Sequence, residues 1–290
     1  MPANTYDFVR GNKEDVSNIV TMITPKDTPF YTGCGRTKAT ATLHEWLEDA
    51  LRAAADNRII EGEEFAVESA TPRVRLDNVT QISRVGYGVT GTQEVVLKHG
   101  VKSEMGYQMA KAAKELALDI ERALITQATK NPGSKTAARI MGGVPFWITT
   151  NSTNVGGALT EDELNSILQA CWQKGGRPSK VYLSGNQKRV VSSWTGKGDA
   201  YVDSNKQKLI NMISSYQSDF GVVSFIPHRM MEDASVFVID PDYWKVAYLR
   251  PIRSYDLPKT GDSIKKVLLG EYTLEARAEA ASGMMTGLTA

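Results

Sequence analysis

The sequence predicts an α+β fold, in which strand-rich segments and one long helix follow each other along the chain. Apolar and polar residues alternate in several short segments, which is typical of half-buried strands. Between Val101 and about Lys130 the apolar residues instead recur with the period of a helix. From about residue 155 to 245 helical and strand patterns interleave, which indicates a compact α/β unit within the larger fold.

Composition limits the classes of function. The chain has 290 residues, of which 41% are hydrophobic and 23% are charged, an ordinary globular mixture with ample material for a core. A formal net charge of +1 gives no overall attraction to nucleic acid or anionic lipid. No segment approaches the roughly 18 consecutive apolar residues of a membrane span, and the N-terminus lacks the pattern of a signal peptide. We therefore expect a soluble protein made in a cytosol, with no membrane partner and with Cys34 and Cys171 reduced.

Residues 1–36 are predicted to form an N-terminal arm. A short amphipathic helix is expected where apolar residues have helical spacing, at Val16, Ile19, Val20 and Ile23. Pro25 ends this helix, because the residue before a proline avoids helical angles. The extended segment that follows carries Phe30 and Tyr31, which we expect to be exposed.

An elongated β-hairpin is predicted after the arm. Thr40–Trp46 has the β-branched and aromatic content of a strand, and alternating residues begin again at Val74 and continue to Val89. Between the two strands, Glu48–Glu68 is acidic and has too little apolar material for a core of its own. Because an isolated two-stranded ribbon is marginal in water, we expect another copy of the chain to cover it.

The helix predicted at residues 101–130 has two distinct faces. At 1.5 Å per residue it would be roughly 45 Å long, which favours a structural building block over a catalyst. Its apolar face comprises Met105, Met109, Ala112, Ala113, Leu116, Ile120, Ala123 and Leu124. Its charged face comprises Lys111, Lys114, Glu115, Asp119, Glu121 and Arg122.

The remainder of the chain is predicted to alternate between helices and strands. Thr160 and Glu163 have the spacing of a capping box, which starts a helix. A further helix is expected at Asn186–Trp194, and strands are expected at Gly142–Asn151, Val181–Leu183, Leu209–Ser215, Val222–Pro227 and Val236–Ile239. Gly270–Ala280 alternates with period two and predicts a strand with one buried and one charged face, although its propensities also permit a helix.

One motif points to nucleotide chemistry. Gly86, Gly88 and Gly91 match G-x-G-x-x-G, in which glycines let backbone amides approach a pyrophosphate at a helix start. The context differs, because the long helix begins only after Gly100 and no acidic residue ends a second strand at the required distance. Bends in a twisted hairpin account for the glycines better. A nucleotide-binding enzyme using this loop is the alternative from another functional class.

No other pattern predicts catalysis or metal binding. His44, His99 and His228 are scattered and lack metal-ligand spacing, and the sequence contains neither a P-loop nor a G-x-S-x-G motif. We therefore predict a chain that is not an enzyme, with no catalytic, cofactor-binding or metal-binding residue.

Short strings of residues along the whole chain resemble one family. They are Asp27-Thr28-Pro29-Phe30, Glu45-Trp46 with Glu61-Gly62, Asn78-Val79-Thr80-Gln81-Ile82 with Gly91-Thr92-Gln93, Asp119-Ile120-Glu121, Gly142-Gly143-Val144, Leu249-Arg250-Pro251 with Lys259-Thr260-Gly261-Asp262, and Gly270-Glu271-Tyr272-Thr273-Leu274-Glu275. In this order they resemble the major capsid proteins of tailed bacteriophages, which have the HK97-like fold.

The resemblance implies a division into parts. Residues 1–36 would be the arm, 37–90 an extended loop, 91–154 with 246–290 a peripheral domain around the spine helix, and 155–245 an axial domain. Copies would form hexamers and pentamers of an icosahedral virion head around double-stranded DNA, held by non-specific contact. A portal protein is a further implied partner, and a separate scaffolding or decoration protein is an optional one. An encapsulin, which shares the fold but encloses cargo enzymes, is the close alternative.

Candidate subunit-interface residues follow from the arm and the hairpin. They are residues expected to project from the subunit, namely Asp27, Pro29, Phe30, Tyr31, Trp46, Glu61, Glu63, Glu64, Arg73 and Arg75.

Overall fold

The computed structural model describes residues 27–64, 72–97, 100–194 and 215–289. Within these ranges the chain has the predicted mixture of helices and strands. The helices are α1 (Pro29–Gly33), α2 (Gly91–Val95), α3 (Glu104–Thr126), α4 (Val144–Trp147), α5 (Glu161–Gln173) and α6 (Gly185–Ser193). The strands are β1 (Gly35–Lys38), β2 (Leu43–Glu48), β3 (Val74–Val79), β4 (Gln81–Thr90), β5 (Ser152–Asn154), β6 (Lys180–Leu183), β7 (Ser215–Ser218), β8 (Gly221–Pro227), β9 (Val236–Ile239), β10 (Trp244–Asp256), β11 (Ser263–Ala276) and β12 (Gly283–Thr286). The helix predicted at residues 16–23 lies outside the described residues, as does His99.

The described residues divide into two compact units. The smaller unit contains Arg84–Leu116 and Arg253–Leu269. The larger contains Thr28–Ser83, Ala117–Ile252 and Gly270–Ala290. The helix α3 and the strands β4, β10 and β11 each run from one unit into the other.

The predicted hairpin is present. Strands β2 and β3 pair antiparallel, with Leu43 opposite Val79 and Glu48 opposite Val74. We call residues 43–79 the ribbon. The alternating run at residues 81–90 does not belong to it and forms β4 of a four-stranded sheet with the order β1-β10-β11-β4. The chain leaves the ribbon at Thr80, whose backbone N–H donates to the carbonyl of Thr42 over 2.8 Å.

Helix α3 is shorter than the predicted span of 101–130. It begins at Glu104 because Ser103 acts as its cap, with its Oγ accepting a hydrogen bond from the backbone N–H of Gly106 over 3.2 Å. It ends at Thr126, and the next carbonyl, that of Gln127, accepts from the N–H of Gly143 over 2.9 Å instead of continuing the helix. Its 23 residues span about 34 Å.

A six-stranded sheet with the order β5-β12-β9-β6-β8-β7 forms the centre of the larger unit. Helices α5 and α6 and strands β6, β8 and β9 lie within a residue or two of their predicted positions, and the capping box between Thr160 and Glu163 is formed. Only the last residue of the strand predicted at 209–215 is described, and it begins β7. The C-terminal strand β12 pairs with β9 and β5, a placement that sequence analysis did not anticipate.

Two local predictions are wrong. Gly142–Asn151 was expected to be a strand, but Val144–Trp147 forms the short helix α4. Pro145 lies in the first turn of α4, where its missing N–H costs nothing, whereas in a strand it would break the ladder. Gly270–Ala276 is a strand as predicted, but both its faces are buried, so the expected charged face is not exposed to solvent.

Candidate subunit interface

Exposed apolar side chains are concentrated on the ribbon. Every residue described between 49 and 64 is exposed, and Leu51 and Ile60 have 99% and 78% of their surface accessible. The exposed large apolar residues of the ribbon are Leu43, Leu47, Leu51, Ile59, Ile60 and Val74. A single exposed leucine needs no explanation, but a group on one projecting segment marks an interaction surface.

Three ion pairs join charged side chains within the described part of the ribbon. Nη2 of Arg75 lies 3.0 Å from Oε1 of Glu45, and Nε of Arg73 lies 3.2 Å from Oδ2 of Asp49. Because these pairs are exposed, each contributes little to the stability of the subunit. Arg58 donates to Asp56 through two guanidinium nitrogens and thereby lowers the pKa of that carboxyl. The sequence of the ribbon nonetheless contains nine acidic residues and four arginines, so the ribbon combines exposed apolar side chains with an excess of negative charge.

The base of the ribbon, in contrast, is held by the body of the same chain. Trp46 is buried, its indole Nε1 donates to the carbonyl of Ala276 over 2.9 Å, and its ring lies 5.1 Å from that of Trp147. The amide nitrogen of Asn78 donates to the carbonyls of Gly142 and Leu274 over 2.9 and 2.7 Å. These contacts fix the orientation in which the ribbon leaves the subunit.

Two buried carboxylates of β11 support this base. Glu275 accepts hydrogen bonds from His44 Nε2 over 3.0 Å and from Arg277 Nε over 2.6 Å. Burial raises the pKa of Glu275, but the hydrogen bonds from His44 and Arg277 lower it by more than burial raises it. The pKa of Glu275 therefore lies below its ordinary value.

Glu271, four residues earlier on β11, is also buried. It accepts from Arg250 Nε over 2.7 Å, from the hydroxyl of Thr80 over 2.8 Å and from Arg139. A buried carboxylate destabilises the fold unless it is paired and hydrogen-bonded. The partners of Glu271 and Glu275 therefore make the burial of these two side chains possible.

The first turn of α1 is held by a third buried carboxylate. Glu121 has no exposed surface and accepts from the backbone N–H groups of Phe30 and Tyr31 over 2.8 and 2.6 Å. His228 Nε2 lies 2.7 Å from the same carboxylate. The Phe30 ring packs edge-on against Tyr182, with 5.5 Å between centroids. The prediction that Glu121 lies on the solvated face of α3 is therefore wrong.

Sequence reasoning missed these carboxylates, although one signal for Glu121 was available. Leu124 and Ile125, three and four residues later on α3, share its side of the helix, and both are buried. A charged residue beside an apolar helical stripe is a candidate for a buried, paired group. Glu275 has one partner close in sequence, Arg277, but no local signal identifies His44 or the partners of Glu271.

The candidate interface residues fall into two groups. Phe30, Tyr31 and Trp46 are 1%, 8% and 9% exposed, so the expectation that these aromatic residues project from the subunit is wrong. Their rings pack within their own chain and leave little surface for a neighbour. Pro29 is half-buried, and the exposed candidates are Asp27, Glu61, Glu63, Glu64, Arg73 and Arg75.

A second group of exposed apolar side chains lies in the smaller unit. It comprises Val95 at the end of α2, Val96 and Leu97 directly after it, Tyr255 on β10, Ile264 on β11, and Leu257 between these two strands. The backbone N–H of Gly91 donates to the carbonyl of Asp262 over 3.2 Å, which brings the start of α2 to the loop between these strands.

The glycine motif has no room for a nucleotide. Gly86 and Gly88 lie inside β4, and a Cβ on Gly88 would be 3.0 Å from the carbonyl of Ile264. Gly91 begins α2, which has only five residues, and its Cα faces the Asp262 carboxylate. A neighbouring strand at Gly88 and an acidic side chain at Gly91 therefore occupy the space that a pyrophosphate would need. The close approach of β11 explains Gly88, whereas a Cβ on Gly86 would meet nothing within 4 Å.

The described residues offer neither a metal site nor a membrane-spanning helix. Across the described ranges, no cluster of three or more histidine, cysteine or acidic side chains has the geometry to hold a metal ion. Among the described helices, none combines the length and apolar character needed to cross a membrane.

Comparison with known proteins gives a family and a fold. A family model described as SU10 major capsid protein matches residues 2–289. A curated "Major capsid protein" of Escherichia phage Phieco32 is 32% identical over 123 residues, which cover 42% of this chain. The match spans 35% of the length of that relative.

Solved structures resemble the whole chain. A chain from Mycobacterium phage Adephagia has a TM-score of 0.65 at 12% identity and covers 100% of this chain and 99% of its own. The holo-SrpI encapsulin of Synechococcus elongatus PCC 7942 has a TM-score of 0.63 at 11% identity. The match covers 99% of this chain and 96% of the encapsulin chain. At these identities the structures establish a shared fold.

Proposed function

The chain belongs to the SU10 major capsid protein family and has the HK97-like fold, and from this premise we propose that its copies assemble into the shell of a phage head. As a phage capsid protein it is part of the virion. In the proposed assembly, hexamers and pentamers form a closed icosahedral shell that encloses double-stranded DNA. Closed shells repeat a few contacts between identical subunits, so each subunit must present surfaces that only another copy covers.

The observation that carries the proposal is the contrast between the two parts of the ribbon. Its base is fixed by Trp46 and Asn78, whereas Leu51, Ile59 and Ile60 beyond the base are exposed. Each apolar Å² left in water forgoes roughly 25 cal/mol. A neighbouring copy that covered these side chains would recover this free energy, as the large interfaces of obligate assemblies do.

The division into parts inferred from the family resemblance is retained as part of the proposal. Residues 1–36 act as the arm. Residues 37–90 contain the extended loop, of which the ribbon lies over a neighbour while β4 stays in the four-stranded sheet of its own chain. Residues 91–154 and 246–290 form the peripheral domain, and 155–245 form the axial domain at the centre of each hexamer or pentamer. The exposed apolar side chains of the smaller unit, such as Val95 and Leu97, would supply further contacts between copies.

Other partners are proposed from the same function. Packaged DNA would touch the shell by non-specific contact, which suits a chain with a net charge of only +1. A portal protein would replace subunits at one vertex, and a separate scaffolding or decoration protein would be an optional partner. We also propose that the chain has no catalytic role, cofactor or resident metal.

Electron microscopy of the purified protein tests the assembly. We expect rings, tubes or closed shells with five-fold and six-fold clusters of subunits. A compact monomer at high concentration under all solution conditions would contradict the proposal.

Calorimetric titration with dinucleotides separately tests the nucleotide-binding alternative. The absence of a heat of binding would exclude that alternative.

An encapsulin shell is the second candidate, favoured by the full-length structural similarity to the Synechococcus encapsulin. The match to the phage capsid family supports the first candidate. Particles that contain a cargo enzyme in place of DNA would favour the encapsulin function, as would a gene neighbourhood with that enzyme instead of portal and terminase genes.

A further inference from the structure

Glu121 makes more hydrogen bonds than packing of helix α3 requires. It lies in the C-terminal half of α3, is wholly buried, and receives the N–H groups of two consecutive residues of α1. Helix α1 has only five residues, and the side chain of Thr28 makes no capping hydrogen bond to it. Since so short a helix is not stable by itself, the acceptor that holds Phe30 and Tyr31 comes from α3.

His228 determines what kind of side chain can occupy this position. The backbone N–H of Met230 donates to Nδ1 of His228 over 3.1 Å, so Nδ1 is an acceptor without a proton. In a neutral imidazole the proton then lies on Nε2, which faces Glu121 at 2.7 Å. Three donors therefore converge on one side chain, from Phe30, Tyr31 and His228.

An ionised carboxylate matches this arrangement because it offers only acceptors. A glutamine has the same shape but would turn its NH₂ group towards at least one of the three donors. An aspartate is one methylene shorter but keeps two acceptor oxygens. The geometry thus specifies Glu121 by its hydrogen-bonding chemistry more than by its volume.

The segment held by Glu121 is the root of the N-terminal arm. Phe30 is also enclosed by rings of the larger unit, with centroids 5.5 Å from Tyr182 and 6.1 Å from Trp244. Residues 29–33 are therefore fixed to the α3 helix and to strands β6 and β10, and the arm continues from that point towards its N-terminus.

We propose that Glu121 is the positioning residue of the N-terminal arm, whose carboxylate fixes residues 29–33 so that every copy presents its arm from the same place. The inference rests on the proposed function, because a defined root matters only if the arm contacts other copies. The role differs from packing of the core, since two of the three groups that Glu121 satisfies are backbone N–H groups of the arm.

Two substitutions separate positioning from packing. Glu121→Gln preserves volume and loses the acceptor-only carboxylate, whereas Glu121→Asp preserves the carboxylate and loses volume. Amide hydrogen exchange at Phe30 and Tyr31 is the first readout, with β6 and β9 as internal references. The fraction of protein in particles, measured by sedimentation, is the second. Glu115→Gln is the matched control, because Glu115 lies on the same helix but is exposed and pairs only with Lys111 at 3.7 Å among the described contacts.

We expect Glu121→Gln to speed exchange at Phe30 and Tyr31 on the order of 10- to 100-fold, since a buried donor loses its partner. The β6 and β9 amides should keep their wild-type rates, and particle yield should fall. Glu121→Asp should lie closer to wild type in both readouts, and Glu115→Gln should match wild type. The inference is overturned if Gln is tolerated as well as or better than Asp, or if exchange rises uniformly in all segments.

The remaining outcomes separate the inference from the proposed function. Normal particles from Glu121→Gln, despite fast local exchange, would overturn the positioning role and leave the proposed assembly intact. Wild-type protein that never forms particles would overturn the proposed function, and the inference with it. If Glu121→Gln does not fold, the wild-type protein gives the first readout: slow amide exchange at Phe30 and Tyr31 supports the inference, and exchange as fast as in an unfolded chain overturns it. Glu121→Asp then reports on particle yield.

Discussion

The indole nitrogen of Trp46 donates a hydrogen bond to the carbonyl oxygen of Ala276 over 2.9 Å. This contact joins the ribbon to β11 of the same chain and places Trp46 in the core of its own subunit. The residues beyond it, from 49 to 64, are exposed. The ribbon is therefore a fixed base with a projecting end, and the two parts respond differently to mutation.

Trp46→Ala should lower the free energy of unfolding by about 3–5 kcal/mol, since it removes a buried aromatic side chain and its hydrogen bond. Assembly should fall in parallel with stability. Denaturant unfolding followed by circular dichroism measures the change. Trp172→Ala is the control. Because Trp172 is 56% exposed, this substitution should lower the free energy of unfolding much less than Trp46→Ala does. Unchanged unfolding of Trp46→Ala would show that the indole does not contribute to the subunit core.

Leu51→Asp or Ile60→Asp should abolish assembly and leave the subunit folded. Both side chains are exposed within the subunit, so the free energy of unfolding should change by less than about 0.5 kcal/mol. Sedimentation of assembly reactions and denaturant unfolding measure the two effects. Leu51→Met, which keeps the apolar character, should assemble normally. Shells formed by the aspartate variants at wild-type yield would contradict the proposed role of the ribbon.

Glu275 should make the subunit less stable in acid. The pKa of Glu275 is lowered in the folded state, so the folded chain binds this proton more weakly than the unfolded chain. Its contribution is fully present above the unfolded pKa of about 4.3 and is lost as pH falls through the lower folded value. Unfolding curves of wild type and Glu275→Gln should therefore converge as pH falls from about 5 to 3. A stability difference that grows in acid would reverse the sign and refute the assignment.

Both cysteines should resist alkylation in the folded protein. Burial, with the nearby Glu121 carboxylate, raises the pKa of the Cys34 thiol, and burial raises that of Cys171 to about 12. Little thiolate forms near neutral pH, and reagents cannot reach either sulfur. Mass spectrometry after iodoacetamide treatment should find both unmodified until denaturant is added. Rapid labelling of Cys34 in native protein would mean that the α1 segment opens readily.

Local signals in the sequence were enough for the regular elements. Thr160 and Glu163 lie within one helical turn of each other, and the helix they start is present as predicted. Strand β9 has its predicted bounds, Val236–Ile239, because a short apolar run is closed by Asp240-Pro241. The family resemblance correctly indicated the fold and the capsid protein family.

Pairings between distant residues could not be predicted. Glu121 contacts His228, 107 residues away, and Glu275 contacts His44, 231 residues away. The same limitation explains why Phe30, Tyr31 and Trp46 were expected to be exposed. Their aromatic character is visible in the sequence, but the rings and carbonyls that cover them come from β6, β10, β11 and α4.

The central claim is that another copy of the chain covers the projecting end of the ribbon. Electron cryomicroscopy of purified particles tests it most directly, through the surroundings of Leu51, Ile59 and Ile60. We expect these side chains to be buried against a neighbouring subunit. Side chains that remain in solvent, or that fold back onto their own subunit, would contradict it.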